Sequence, residues 1–262
     1  MSTVWALGMA YTDLELPDAL RLLADRPAGM PFAYVCTPNV ISVVNYDRGE
    51  PRYRSGIDGA WMRLCDSRVL ARLMRALFGV RLKLALGSDL TRDLLEGVVQ
   101  PNDPVTVIGG TEELAARLRA KYGLRRLSLH EPPFGFAADP AALQACVAFV
   151  QANPARFVFL ACGAPQSEVL GLAILRAGGA VGTGLCIGAS LNFVTGLAVR
   201  APDWWQRAGL EWLHRLIQEP RRMGPRLTQG QLPVLALAAR YRASQRLSRT
   251  QGGPDGALSG PP

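Results

Sequence analysis

The chain is poor in the residues that hold metals and close disulfides. Two histidines occur in 262 residues, neither with a partner at metal-ligand spacing, so a structural zinc site is excluded. The five cysteines, Cys36, Cys65, Cys146, Cys162 and Cys186, are widely spaced and form no C-x-x-C. They read as small buried hydrophobes, not as a disulfide framework. No uninterrupted apolar run of 18 residues is present, so no transmembrane helix is expected. The N-terminus, MSTVWALGMAYTDLEL, lacks a basic region and meets Asp13 early, so the cytoplasm is the expected compartment. Signatures of a phosphate-gripping loop and of a nucleophilic serine are missing as well. There is no G-x-x-x-x-G-K-[ST] and no G-x-S-x-G. No Asp-x-Asp occurs, the pair with which many sugar-nucleotide enzymes hold a diphosphate through a metal, so any such activity is expected to need no metal or other cofactor. Gly182-x-Gly184-x-x-x-Gly188 misses the dinucleotide fingerprint by one residue, and no acid follows at the required distance.

What is present is a large apolar complement and an uneven charge. Hydrophobic residues make up 49% of the chain, enough for a substantial core. The net charge is +8, and residues 200–249 carry most of it, with ten arginines and no lysine against Asp203, Glu211 and Glu219. Basicity confined to one end points to a localised anionic partner. The stretch RAPDWWQRAGLEWLHRLIQEPRR (200–222) combines five of those arginines with three tryptophans. Residues 203–218 fit an amphipathic helix, with Trp205, Ala208, Trp212 and Leu216 on one stripe. Trp204 lies off that stripe and suits a lipid interface. QLPVLALAARYRASQRL (231–247) predicts a second helix, and 250–262 a disordered tail.

The first 199 residues alternate short apolar runs with helical patterns. FAYVCT (32–37), VTVIGG (105–110), RRLSLHEPP (125–133), RFVFLACGAP (156–165) and GAVGTGLCIGA (179–189) predict strands. TEELAARLRAKYG, with Thr111 as N-cap, acids in its first turn and a terminal Gly123, predicts a helix. Strand–loop–helix repetition implies an α/β protein with a mostly parallel sheet and helices on both faces. Ligands bind past the carboxyl ends of such strands. The loops at 37–39, 109–111, 163–165 and 182–184 are therefore expected on one rim. A carboxylate at Asp58-Gly59 follows the first of them; locally it reads most simply as a turn.

Taken in order, TPNV (37–40), Asp58-Gly59, LGSDL (86–90), VIGGT (107–111), GAPQSE (163–168) and the 200–222 series resemble the WecG/TagA/CpsF family of bacterial glycosyltransferases. The resemblance implies a Rossmann-like catalytic domain over 1–199 and a small basic helical C-terminal appendage over 200–249 that touches membrane and completes the site. It implies inverting, metal-independent transfer of N-acetylmannosamine, its uronic acid or glucose. The donor would be a UDP-sugar, and the acceptor a saccharide on a polyprenyl (undecaprenyl) diphosphate at the inner face of the plasma membrane. Asp58 matches the family's proposed base. Thr37, Asn39, Gly109, Gly110, Thr111, Gly163, Ala164, Pro165, Ser167, Glu168 and Gly184 match positions lining the substrate pocket. Arg215, Arg221 and Arg222 are candidates for the diphosphate clamp, with helix N-termini beside them. The sequence departs from the family in the fourth loop, where Gln166-Ser167-Glu168 replaces Lys-Gln-Glu, and before Gly87, where Lys83-Leu84 replaces an arginine.

Two other readings stand beside this one. A catalytically silent homologue would bind UDP-sugar or lipid carrier without turnover. A nucleic-acid binder would use the basic end, but the strands offer no aromatic stacking face and no recognition motif is present, so nucleic acid is not an expected partner. Oligomeric state stays open, a homo-oligomer being one option.

Overall fold

A computed structural model describes residues 1–199, 201, 202, 204, 205, 213, 216, 217, 230 and 232–251, with side chains as far as 244 in the last stretch. The chain opens with an antiparallel hairpin, β1 (Thr3–Ala6) and β2 (Met9–Thr12), followed by helix α1 (Leu16–Asp25). Six further strands are β3 (Ala33–Cys36), β4 (Met62–Arg63), β5 (Pro104–Ile108), β6 (Arg126–His130), β7 (Phe157–Leu160) and β8 (Thr183–Cys186). They form one all-parallel sheet in the order β4-β3-β8-β7-β5-β6. Between them run α2 (Val40–Arg48), α3 (Pro51–Asp58), α4 (Arg68–Phe78), α5 (Gly87–Gly97), α6 (Glu112–Tyr122), α7 (Pro140–Ala152) and α8 (Gln166–Ala177). After β8 come α9 (Ser190–Val194) and α10 (Leu232–Gln251).

The strands are apolar on both sides because both sides are covered. Along β3, Tyr34 and Cys36 enter one core and Val35 the other; along β7, Val158 and Leu160 face one way, Phe157 and Phe159 the opposite. Each such side chain contributes about 1.5–3 kcal/mol by leaving water. The first core is closed by the hairpin and by α2, α3, α4, α7, α8 and α10, through residues such as Met9, Val43, Ile57, Leu70, Ile174 and Val234. The second is closed by α1, α5, α6 and α9, through Leu23, Leu90, Leu118 and Leu191. This is the α/β arrangement that the alternation of strand and helix patterns predicts.

Helix boundaries follow local chemistry. The Thr111 side chain accepts from Leu114 N, acids occupy the first turn of α6, and Gly123 ends it at φ 66°. Asn39 and Ser67 cap α2 and α4 in the same way. Trp204, Trp205, Leu213, Leu216 and Ile217 are helical, as the periodicity of 203–218 predicts; the residues between them lie outside the described ones. The predicted helix at 231–247 corresponds to α10, which is built into the body. Val234, Leu237 and Ala238 are buried in the first core, Arg240 pairs with Asp47, and the Tyr241 hydroxyl lies against Gly8. Of the tail expected over 250–262, residues 250 and 251 end this helix and the others lie outside the described residues.

Candidate active site

In a parallel sheet, a crevice opens where helices leave neighbouring strands toward opposite faces. That happens here at several neighbouring pairs, and β3 and β8 are the pair that carries the 37–39 loop. Helix α2 follows β3 onto the first core, and α9 follows β8 onto the second. The two strands are paired, with Cys36 opposite Cys186 at their carboxyl ends. Thr37, the next residue along, donates its hydroxyl to the Cys186 carbonyl at 3.1 Å. The Asn39 Oδ1 accepts from Ile41 N at 3.0 Å and Ser42 N at 3.4 Å, so this side chain is fixed at the start of α2.

A carboxylate joins them, and it is Asp66. It lies just beyond β4, where its backbone N–H donates to the Pro38 carbonyl at 3.1 Å. Its Oδ1 accepts from Gly87 N at 3.1 Å. Gly87 is glycine for a steric reason: a Cβ there would sit 2.9 Å from the Thr37 hydroxyl. Asp66, Gly87 and the 37–39 loop are therefore one tight cluster on the carboxyl-end rim. The signal in the sequence was available. Asp66 precedes Ser67, a helix cap, and stands between two motifs already identified.

Asp58, the expected base, is elsewhere. Helix α3 carries the chain from the rim back to the amino end of the sheet, and Asp58 is its last residue. Tyr53, in its first half, has Ser42, Cys36, Cys186 and Glu168 within reach; Gly56, further on, has its carbonyl bonded by the Tyr34 hydroxyl at 2.6 Å. Three residues after Asp58, Trp61 N donates to the Tyr34 carbonyl at 2.9 Å, and β4 begins at the next residue. The carboxylate of Asp58 is exposed and accepts from the Tyr46 hydroxyl at 2.9 Å, ahead of β4, whereas Thr37 follows the carboxyl end of β3.

Beneath the rim lies a group of buried polar atoms without partners. Tyr11 OH and Glu168 Oε2 are enclosed and make no hydrogen bond, and the enclosed Tyr53 OH has only Ser42 beside it, without well-formed hydrogen-bond geometry. Glu168 is 5% exposed, and burial pushes its carboxyl up to about 7. Burial, and then the neighbouring Glu168 carboxylate, raise the Tyr53 phenol. Burial raises Tyr11 well above its ordinary value, with Cys65, Tyr53 and Asp66 adding to it. Orphaned buried polar atoms are costly and cluster where a ligand completes them. Helix α3 comes this close to α8 because residue 56 is glycine; a Cβ there would meet the Glu168 backbone at 2.8 Å.

The remaining expected residues divide. Gly109 and Gly110 end β5 at φ 90° and 92°, ahead of the α6 N-terminus, and Thr111 serves as its cap. Gly163, Ala164 and Pro165 form the loop after β7, with a cis Ala164-Pro165 bond, and Ala161 N ties that strand end to the Ile108 carbonyl at 2.8 Å. These loops share the carboxyl-end rim with Thr37. Ser167 does not face it: the side chain is 1% exposed and donates to the Leu160 carbonyl at 2.9 Å. Gly184 is inside β8, where a Cβ would meet the Phe32 ring at 2.5 Å, so its place is in packing. Arg215, Arg221 and Arg222 lie outside the described residues. Among the described residues no three His, Cys, Asp or Glu side chains are grouped as a metal site would require.

Comparison with known families gives one match, to the model of the Glycosyl transferase WecG/TagA/CpsF family, over residues 4–248. The chain belongs to that family. As a WecG/TagA/CpsF protein it is a glycosyltransferase of cell-surface polymer synthesis, with a sugar donor and an acceptor as partners. The match takes in α10 as well as the sheet, in keeping with the way this helix packs into the first core. Among the described residues no helix is long and apolar enough to cross a membrane.

Proposed function

We propose that this WecG/TagA/CpsF protein transfers a sugar, N-acetylmannosamine, its uronic acid or glucose, from UDP to a saccharide on a polyprenyl diphosphate, with inversion at the anomeric carbon. The observation that carries the reading is Asp66, held by Gly87 N–H and tied through Pro38 to the Thr37–Asn39 loop. A sugar hydroxyl is a poor nucleophile, and a carboxylate within hydrogen-bond reach takes its proton as it attacks. The bond from the anomeric carbon to the acceptor oxygen forms, the bond to the UDP oxygen breaks, and the proton goes to Asp66. The departing diphosphate gains charge. N–H groups at the start of α6, after Gly109 and Gly110, are suited to meet it, and the resemblance assigns Arg215, Arg221 and Arg222 to the same task. Thr37 and Asn39 set the loop, and Tyr53 and Glu168 offer unbonded polar atoms for sugar hydroxyls.

The acceptor's lipid gives a reason for an anionic membrane surface as partner. Trp204, Ile217, Leu232 and Leu235 are exposed apolar side chains within the basic end of the chain, and the rings of Trp204 and Trp205 lie tilted against each other with centres 5.0 Å apart. Interfacial tryptophan with arginine suits contact with such a surface. The reading therefore places the enzyme on the inner face of the membrane.

The test is transfer from a panel of UDP-sugars to a lipid-diphosphate saccharide with EDTA present. Turnover of one donor is expected. Donor binding without turnover on any acceptor would favour a second reading, a silent binding homologue. One observation speaks for that reading: Ser167 stands where the family carries glutamine, and its hydroxyl is spent on Leu160.

A further inference from the structure

We propose that the cavity between the start of α1 and the outer side of α4 is an anion site that takes a phosphate or diphosphate group. Its lining runs next to the Asp66 cluster, since Leu84 bridges to Cys65, but its charged groups are other than those given a part in sugar transfer. The cavity measures about 480 Å³, a volume typical of small-molecule sites. Its charged lining is Arg68, Arg72, Arg75, Arg81 and Lys83 against Glu15.

Cations gather on one wall of the cavity. Arg68 and Arg75 stand two turns apart on one side of α4. Arg68 is also the first residue of that helix, and a cation at a helix N-terminus opposes the backbone dipole. Its Nε is buried and makes no hydrogen bond. Lys83 has a partner, Asp13 at 3.4 Å. Arg75 and Arg81 have no carboxylate partner among the described residues, and both are exposed at the mouth. Across the cavity, Leu16 and Pro17 open α1, and Glu15 makes no side-chain capping bond to that first turn. Guanidinium forks converging on one cavity are elements from which phosphate sites are made. A phosphate bound there would give Arg68 Nε the acceptor it lacks. The group could belong to a lipid headgroup or to a soluble phosphate compound.

The test is the double variant Arg75→Ala/Arg81→Ala, with Arg125→Ala/Arg126→Ala on the opposite edge strand as a control that loses the same charge. Two probes separate the sources: inorganic pyrophosphate by calorimetry, and phosphatidylglycerol vesicles against phosphatidylcholine vesicles by sedimentation. Both substitutions are on exposed side chains, so each variant should fold, which circular dichroism will check. The Arg75/Arg81 variant is expected to lose about tenfold in affinity for at least one probe, and the control to bind like the parent. Loss toward pyrophosphate identifies a soluble-phosphate site, and loss toward vesicles alone a headgroup site. Equal loss in both variants, unchanged binding in both, or no binding of either probe by the parent would overturn the proposal. None of these readouts passes through sugar transfer, so a failed transferase assay leaves the result interpretable.

Discussion

Asp66→Asn should abolish most sugar transfer, by about 100-fold or more, and leave UDP affinity near that of the parent. Asparagine still offers an oxygen to Gly87 N–H, so the 37–39 loop keeps its geometry; the ability to accept a proton is what goes. Asp58→Asn is expected to transfer at close to the parental rate, because that carboxylate is at the other end of the sheet beside Tyr46. Initial rates at saturating donor and acceptor, with UDP titrations on both variants, check the pair. Parental rates for Asp66→Asn would sink its role as base, and a collapse in Asp58→Asn alone would restore the earlier candidate.

The contrast between these aspartates shows what the sequence could reveal. Long apolar strands were legible because both faces are covered: VTVI and FVFL are apolar or β-branched almost throughout. Their order in the sheet was not, since pairing is decided by helices that choose one face or the other. β1 is largely uncovered and so reads as no continuous apolar run, and β4, with two residues, is too short to register. The position of Asp58 has the same origin: α3 returns the chain toward the amino end, and the two-residue β4 that brings Asp66 to the rim leaves no periodic signal. The glycine-rich run predicts a rim position for Gly184, whereas its lack of a side chain makes room for the Phe32 ring inside β8. The burial of Glu168, which raises its carboxyl, is a tertiary property that no local pattern encodes.

Replacing Glu168 by glutamine should remove a pH dependence of stability worth about 3 kcal/mol. Burial lifts this carboxyl from 4.5 to about 7. Between those values the folded chain retains a proton that the unfolded chain has released. Stability therefore falls as pH rises through that window and levels off above it. Urea denaturation of parent and Glu168→Gln at intervals from pH 5 to 8 measures the slope. The parent should lose stability across the range, and the variant should lose much less. Identical slopes would show that some other group titrates there. The same substitution fixes the side chain in a neutral form, so any transferase optimum that follows the ionisation of Glu168 should flatten with it.

Four of the five thiols are buried, Cys162 is half-buried, and none is disulfide-bonded. Cys36 and Cys186 face each other across adjacent strands directly under Thr37, and burial pushes both thiols up. Alkylating reagents need a thiolate they can collide with. The chain thus carries an intrinsic gauge of breathing at the crevice floor: modification of Cys36 or Cys186 would time the parting of β3 from β8, with no probe grafted on.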